Sequence, residues 1–340
     1  MKILVGLAFA FTSSLVGCSQ APPVLPAKSS VSGATSRDFH FEYASTIAGI
    51  PQGAKSVRMW VPLPQTDENQ TISNLKIDAP IPFRETRDPL YGNRIAYFEL
   101  SGTAPAQVPI RVAFDVHRVE TSAMHPDLKG PLQARLLEGD RLAPTAGEAS
   151  ARAAQAVATS SDVTGKAFGI YNRVLDDVAY DKTVTGWGRG DLSYVCRVGK
   201  GNCSDFHALF ISMARSQQIP ALFEIGFPLP RDKHEGPIGG YHCWAWYQAP
   251  DGAWKPVDVS EADKDPNRKE YFFGTICCNR VALSRGRDIV LEPAQAGEPV
   301  NFLIYPYVEV DGKPLETGVE KTFAFRDLPP RLVLVKPPGD

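Results

Sequence analysis

Between residues 37 and 122 the chain alternates apolar and polar positions in short runs: FHFEYAST, SVRMWVPLP, ISNLKID, RIAYFELS and VPIRVAFDVHRVE. Gly, Pro and Asn mark the turns between them. A period of two is the signature of a half-buried strand, and five such runs predict an N-terminal β-sandwich domain. The period then lengthens. Residues 131–137 and the Ala-rich 149–158 have helical propensity, and 166–178 places Phe168, Tyr171, Val174, Leu175 and Val178 on one helical face. A further helix is predicted over 205–217, carrying Phe206, Leu209, Phe210 and Met213 and stopped by Pro220. Strand patterns return in ALFEIGFPL, HCWAWYQA, WKPVDVS, VNFLIYPYVEV and EKTFAFRDL, with Asp251-Gly252 and Asp311-Gly312 as hairpin signals. The order β, α, β predicts an α+β fold, with a second domain over 123–340 that ends in a C-terminal β extension.

The first 36 residues fit neither pattern. Lys2 followed by the apolar stretch 3–11 reads as an export signal over 1–17, too short to span a membrane as a helix. Leu15-Val16-Gly17-Cys18 resembles the bacterial lipobox, which makes Cys18 the expected lipid-anchored residue, and Ser19 resembles the sorting pattern for the outer membrane. The Pro-, Ser- and Ala-rich segment 18–36 reads as a tether with too little apolar surface to fold. The expected location is therefore the cell envelope, at the periplasmic face of the outer membrane, with the membrane as a partner through Cys18. Charge changes nothing in this picture: 36 Lys plus Arg against 38 Asp plus Glu leave a net charge of -2, and no nucleic-acid partner is expected.

Three residues point to nucleophilic chemistry. Cys203 sits in Gly-Asn-Cys-Ser-Asp, where a loop enters a predicted helix, and the positive end of a helix favours thiolate over thiol. The unpaired amides there suit an oxyanion. His242 opens the strand HCWAWYQ and Asp258 lies in WKPVDVS, so a hairpin turning at Asp251-Gly252 brings imidazole and carboxylate side by side. That is the logic of a nucleophile, a base and the group that orients the base.

The run GNCSDFHALFISMARSQQIPALFEIGF followed by YHCWAWYQAPDGAWKPVDVS resembles the transglutaminase-like superfamily, in which a Cys at a helix start precedes His-x-Trp on one strand and Trp-x-Pro-Val-Asp on the next. Tyr180-Asp181 is similar to the helix end before the nucleophile loop in bacterial members. The resemblance implies a papain-like core and thiol acyl chemistry, with Cys203 as nucleophile, His242 as general base and acid, and Asp258 as orienter. It also implies a second oxyanion donor upstream, for which Trp187 and Tyr180 are both candidates. The implied partner is a peptide or protein amide, attacked through a thioester and passed to water or an amine without a cofactor. The competing reading is a lipid-anchored binding or assembly module that keeps this fold without turnover.

Other groups carry weaker signals. Trp244, Trp246 and Trp254 read as core or groove-wall aromatics, and His207 stands one helical turn after Cys203. Cys196, Cys243, Cys277 and Cys278 allow two disulfides in three connectivities, and pairing of Cys203 with Cys196 or Cys243 would give a locked resting state. Cys196, Cys203, His242 and Cys243 are zinc-type ligands in a spacing that fits no familiar zinc site, so no metal is expected. The acidic stretch 261–265 reads as a solvated loop.

Overall fold

Every second residue of the first strand, β1 (Ser36–Ile47), is buried from Phe39 onward: Phe39, Phe41, Tyr43, Ser45 and Ile47. The alternation seen in the sequence is thus a strand with one face on the core. It belongs to a computed structural model that describes residues 35–102, 105–126, 128 and 130–329. The export signal, the Cys18 anchor and all but the last two positions of the 18–36 tether lie outside the described residues.

The chain continues through β2 (Ser56–Pro62), β3 (Gln70–Asp78), β4 (Phe83–Arg87), β5 (Arg94–Ser101) and β6 (Val108–Val119). Helices α1 (Pro131–Arg135), α2 (Glu148–Ala156) and α3 (Val163–Asp177) follow. Next come the short β7 (Ala179–Tyr180), α4 (Leu192–Val198), β8 (Lys200–Gly201) and the long α5 (Cys203–Ser216). The last part holds β9 (Ala221–Pro228), β10 (Glu235–Pro237), β11 (His242–Gln248) and β12 (Trp254–Val257), then α6 (Val259–Lys264) and α7 (Lys269–Phe272). It closes with β13 (Arg280–Arg285), β14 (Tyr307–Val310), β15 (Lys313–Pro314) and β16 (Val319–Asp327).

Strand β4 has no counterpart among the five predicted runs. Its sequence, FRETR, lacks apolar alternation because it is an exposed edge strand that pairs only with β5.

Two five-stranded sheets form the sandwich, in the orders β10-β16-β1-β6-β3 and β15-β14-β2-β5-β4. Phe41 and Phe114 of the first and Met59 and Phe98 of the second share one apolar cluster. Both sheets recruit the end of the chain. Strand β16 pairs antiparallel with β1, setting Phe41 opposite Phe325, and β14 pairs with β2, setting Tyr307 opposite Trp60. A boundary at residue 122 therefore separates strands that are hydrogen-bonded to one another.

A third sheet, antiparallel and four-stranded in the order β12-β11-β9-β13, carries the candidate site. Helix α5 packs on one of its faces against β9 and β11. The other face sends Leu222, Trp244 and Trp246 into a second apolar cluster with Trp60, Ile95 and Tyr97 of the sandwich. This explains why HCWAWYQ is buried on both faces rather than alternating. The α+β class and the helix-on-antiparallel-sheet core are as the sequence predicts. Phe227 of β9 meets Phe41, Tyr43 and Phe323, so sandwich and core pack as one unit.

Candidate active site

The nucleophile helix begins with a complete capping box. The Asn202 side chain accepts from Ser204 N–H at 2.9 Å, and the Asp205 carboxylate accepts from Asn202 N–H at 2.9 Å. Gly201 is required here, since a Cβ at that position would stand 2.4 Å from the Asp205 carboxylate. Cys203 is the first helical residue, so its own N–H has no partner within the helix. From Cys203 to Arg215 α5 is buried on every side. Its polar residues are satisfied internally: Ser212 donates to Pro144 O, and Arg215 to Ala221 O and Asp140.

His242, at the start of β11, sets Nε2 2.8 Å from Asp258 Oδ2. This leaves Nδ1 as the ring nitrogen available to Cys203. Asp258 is fully buried and caps α6, its Oδ1 accepting from Glu261 N–H at 3.1 Å. Arg280 Nη2 stands 2.8 Å from Asp258 Oδ2. His207, also fully buried, accepts from Val259 N–H at Nε2 (3.1 Å) and places Nδ1 3.5 Å from the Cys243 sulfur. The structure thus brings Cys203, His242 and Asp258 together and adds Arg280 and His207 behind them.

Burial opposes charge throughout this cluster, and specific partners override it. The Cys203 thiol is held well below its ordinary range against burial, by hydrogen bonding from Cys243 and His242 and by the His242 charge. His242 is pushed up to about 9 against burial, chiefly by Asp258. Asp258 is held well below the usual carboxylate range against burial, by His242 and Arg280. His207, with burial dominant, falls to about 4 and is neutral. Burial and Cys203 push Cys243 well up, so of the two thiols Cys203 is the ionised one. The result is a thiolate beside an imidazolium, oriented by a carboxylate that is itself held by a guanidinium.

The two oxyanion candidates differ in setting. Tyr180 is half-buried on β7, its ring 6.3 Å from that of Phe206, with Lys264 Nζ 4.0 Å from the ring centre. Burial raises its phenol, Lys264 lowers it, and the Cys203 charge adds to the rise. Trp187 lies in loop 181–190 at 37% exposure, and its indole N–H has no hydrogen bond among the described residues. Gly188 and Gly190 N–H of this loop donate to Asp205 at 2.6 and 3.0 Å. Tyr241, which the sequence did not single out, accepts from Asn202 Nδ2 at 2.9 Å and lies 3.0 Å from Ser204 Oγ.

Other expectations change. Cys196, Cys243, Cys277 and Cys278 are free thiols, as is Cys203: Cys243 on β11 and Cys203 at the start of α5 meet through a hydrogen bond rather than a disulfide. The 261–265 stretch is no solvated loop: α6 runs through it to Lys264, and Asp263 accepts from Tyr180 N–H at 2.9 Å. Arg280 and Asp205 escaped the sequence reading, since nothing local distinguishes a site-holding charge from a surface one.

Cysteine, imidazole and carboxylate on a helix-and-sheet core define a cysteine-enzyme-like fold. Residues 150–259, which include all three, match the core model of the transglutaminase-like superfamily, and this segment belongs to that superfamily. An uncharacterised protein of Haemophilus influenzae is 24% identical over 324 residues, covering 81% of this chain and 87% of its own. A candidate cysteine protease from Cytophaga hutchinsonii superposes with a TM-score of 0.53 at 16% identity, over 87% of this chain and 99% of that one, a likeness of fold.

Proposed function

We propose that the protein is a cofactor-independent cysteine enzyme of the cell envelope that acts on amide bonds through a thioester. One observation carries the reading: Asp258 occupies Nε2 of His242, which leaves Nδ1 for a thiol at the positive end of α5. The Cys203 thiolate attacks the amide carbonyl carbon, and the resulting oxyanion is met by Cys203 N–H and by a donor from Trp187 or Tyr180. His242 then gives its proton to the leaving amine, the C–N bond breaks and a thioester remains. Water or an incoming amine, losing a proton to His242, attacks the thioester and frees the thiol. The export signal and Cys18 in the sequence support an envelope location with a lipid anchor.

A second reading, a binding or assembly module without turnover, has its own support in the 1% exposure of Cys203. Labelling the full-length protein with a small thiol electrophile from pH 4 to 9 separates the two. Fast labelling at Cys203 below the free thiol range of about 8.5, lost in His242→Ala, supports the enzyme. A Cys203 that stays inert after reduction sinks it and leaves the module.

A further inference from the structure

Loop 181–190 is fastened to the nucleophile helix by the two glycine amides on Asp205, and the Tyr241 hydroxyl donates to Gly188 O at 3.4 Å. A Cβ at Gly188 would lie 3.3 Å from the side chain of Asn202, the cap of α5, so this loop packs against the residue that directly precedes the nucleophile. Its side chains face outward. Val184 and Trp187 are 36% and 37% exposed, two of only four large apolar side chains so exposed among the described residues.

The loop's charges are unbalanced. Lys182 Nζ stands 5.4 Å from the centre of the Trp187 ring and 5.9 Å from that of Tyr180, and Arg189 is exposed. Neither cation has a carboxylate partner among the described residues, whereas neighbouring lysines do: Lys200 on Asp181 and Lys264 on Glu261. The nearby acids are committed as well. Asp191 caps α4, Asp205 holds the loop amides and Asp263 holds Tyr180 N–H.

We propose that Lys182, Arg189 and Trp187 form a carboxylate-recognition shelf, which selects acyl donors bearing a free carboxylate beside the bond presented to Cys203. The inference rests on the cysteine-enzyme reading and names its substrate class. The indole offers a flat apolar platform, and its ring orders the Lys182 ammonium in advance of the ligand. Two cations on one exposed loop raise the local concentration of an anionic partner and repel a cationic one.

The test compares alkylation of Cys203 by N-bromoacetyl-glutamate and by the uncharged N-bromoacetyl-glutaminamide. Wild type takes the anionic reagent at least about threefold faster, and added salt shrinks the ratio. In a Lys182→Met/Arg189→Gln double variant the ratio falls toward one, while the neutral reagent reacts within about twofold of wild type. An unchanged ratio, or an equal loss with both reagents, overturns the shelf. His242→Ala slows both reagents alike, which separates the catalytic base from the shelf. Calorimetric binding of acetyl-Ala-Glu against the uncharged acetyl-Ala-glutaminamide reads the shelf without the nucleophile. A preference for the glutamate peptide that the double variant loses upholds it even if Cys203 proves inert, and equal binding overturns it.

Discussion

Arg280 sets its guanidinium 2.8 Å from Asp258, on the same oxygen, Oδ2, that meets His242. Both side chains are buried, so the ion pair works at low dielectric and neither charge can turn to water. Removing Arg280 leaves a buried carboxylate short of a cation. Arg280→Met should lower unfolding stability by about 3–5 kcal/mol in denaturant titration. Arg280 also lowers the pKa of His242, so in whatever fraction folds the alkaline limb of the Cys203 pH–rate profile should move to higher pH. A limb that stays put would show that Arg280 does not act on the imidazole.

The lowered thiol and the raised imidazole define a working window. Cys203 is a thiolate from well below its ordinary pKa upward, and His242 keeps its proton up to about 9. Amide cleavage, which needs the imidazolium as acid, should hold through neutrality and fall above about pH 9. In His242→Ala the thiol returns toward about 8.5, so alkylation at pH 6 should slow on the order of 100-fold. Equal rates in the two proteins at pH 6 would mean that the thiol is not paired with the imidazole.

His207 predicts acid lability. Its folded pKa of about 4 lies below the unfolded value of about 6.5, so between those limits the unfolded chain binds the extra proton. The contribution is fully present above about pH 6.5 and declines as pH falls toward 4, by on the order of 3 kcal/mol in total. Equilibrium unfolding at pH 7, 5.5 and 4.5 should show this slope in wild type and a shallower one in His207→Gln. Parallel slopes would assign the acid sensitivity to other groups.

Glu224 is a structural hub on the face of β9 away from α5. It accepts from Trp244 Nε1 at 2.6 Å and Trp246 Nε1 at 2.9 Å and pairs with Arg285 at 2.6 Å, all with little exposure. Glu224→Ala should cost about 3–5 kcal/mol by stranding Arg285 and two indole donors. Tryptophan fluorescence should report the loosened packing. The pH profile of Cys203 labelling in the folded fraction should stay unchanged, and a shifted profile would place Glu224 in the site's electrostatics.

The candidate triad was legible because each member sits where a local pattern changes: Cys203 at a helix start, His242 at the start of β11 before a turn signal, and Asp258 directly after β12, beyond that signal. Other parts lacked such a mark. The apolar period of α5 marked only Phe206, Leu209, Phe210 and Met213, whereas Asp205, His207, Ser212 and Arg215 are buried too, each on an internal partner that no local pattern announces. Arg280 resembles any strand arginine until β13 pairs with β9 and brings it to Asp258. The return of β14 and β16 to the N-terminal sheets is a pairing between distant segments, which hydrophobic period alone does not encode.

That return sets a timetable. A ribosome delivers β1 at the beginning and β16 near the end, and until β16 arrives one edge of β1 is an unpaired row of amides and carbonyls. Strand β2 waits in the same way for β14. Any nascent or prematurely terminated chain that stops before Tyr307 therefore carries two open sheet edges, and closing them is a late, long-range step of folding.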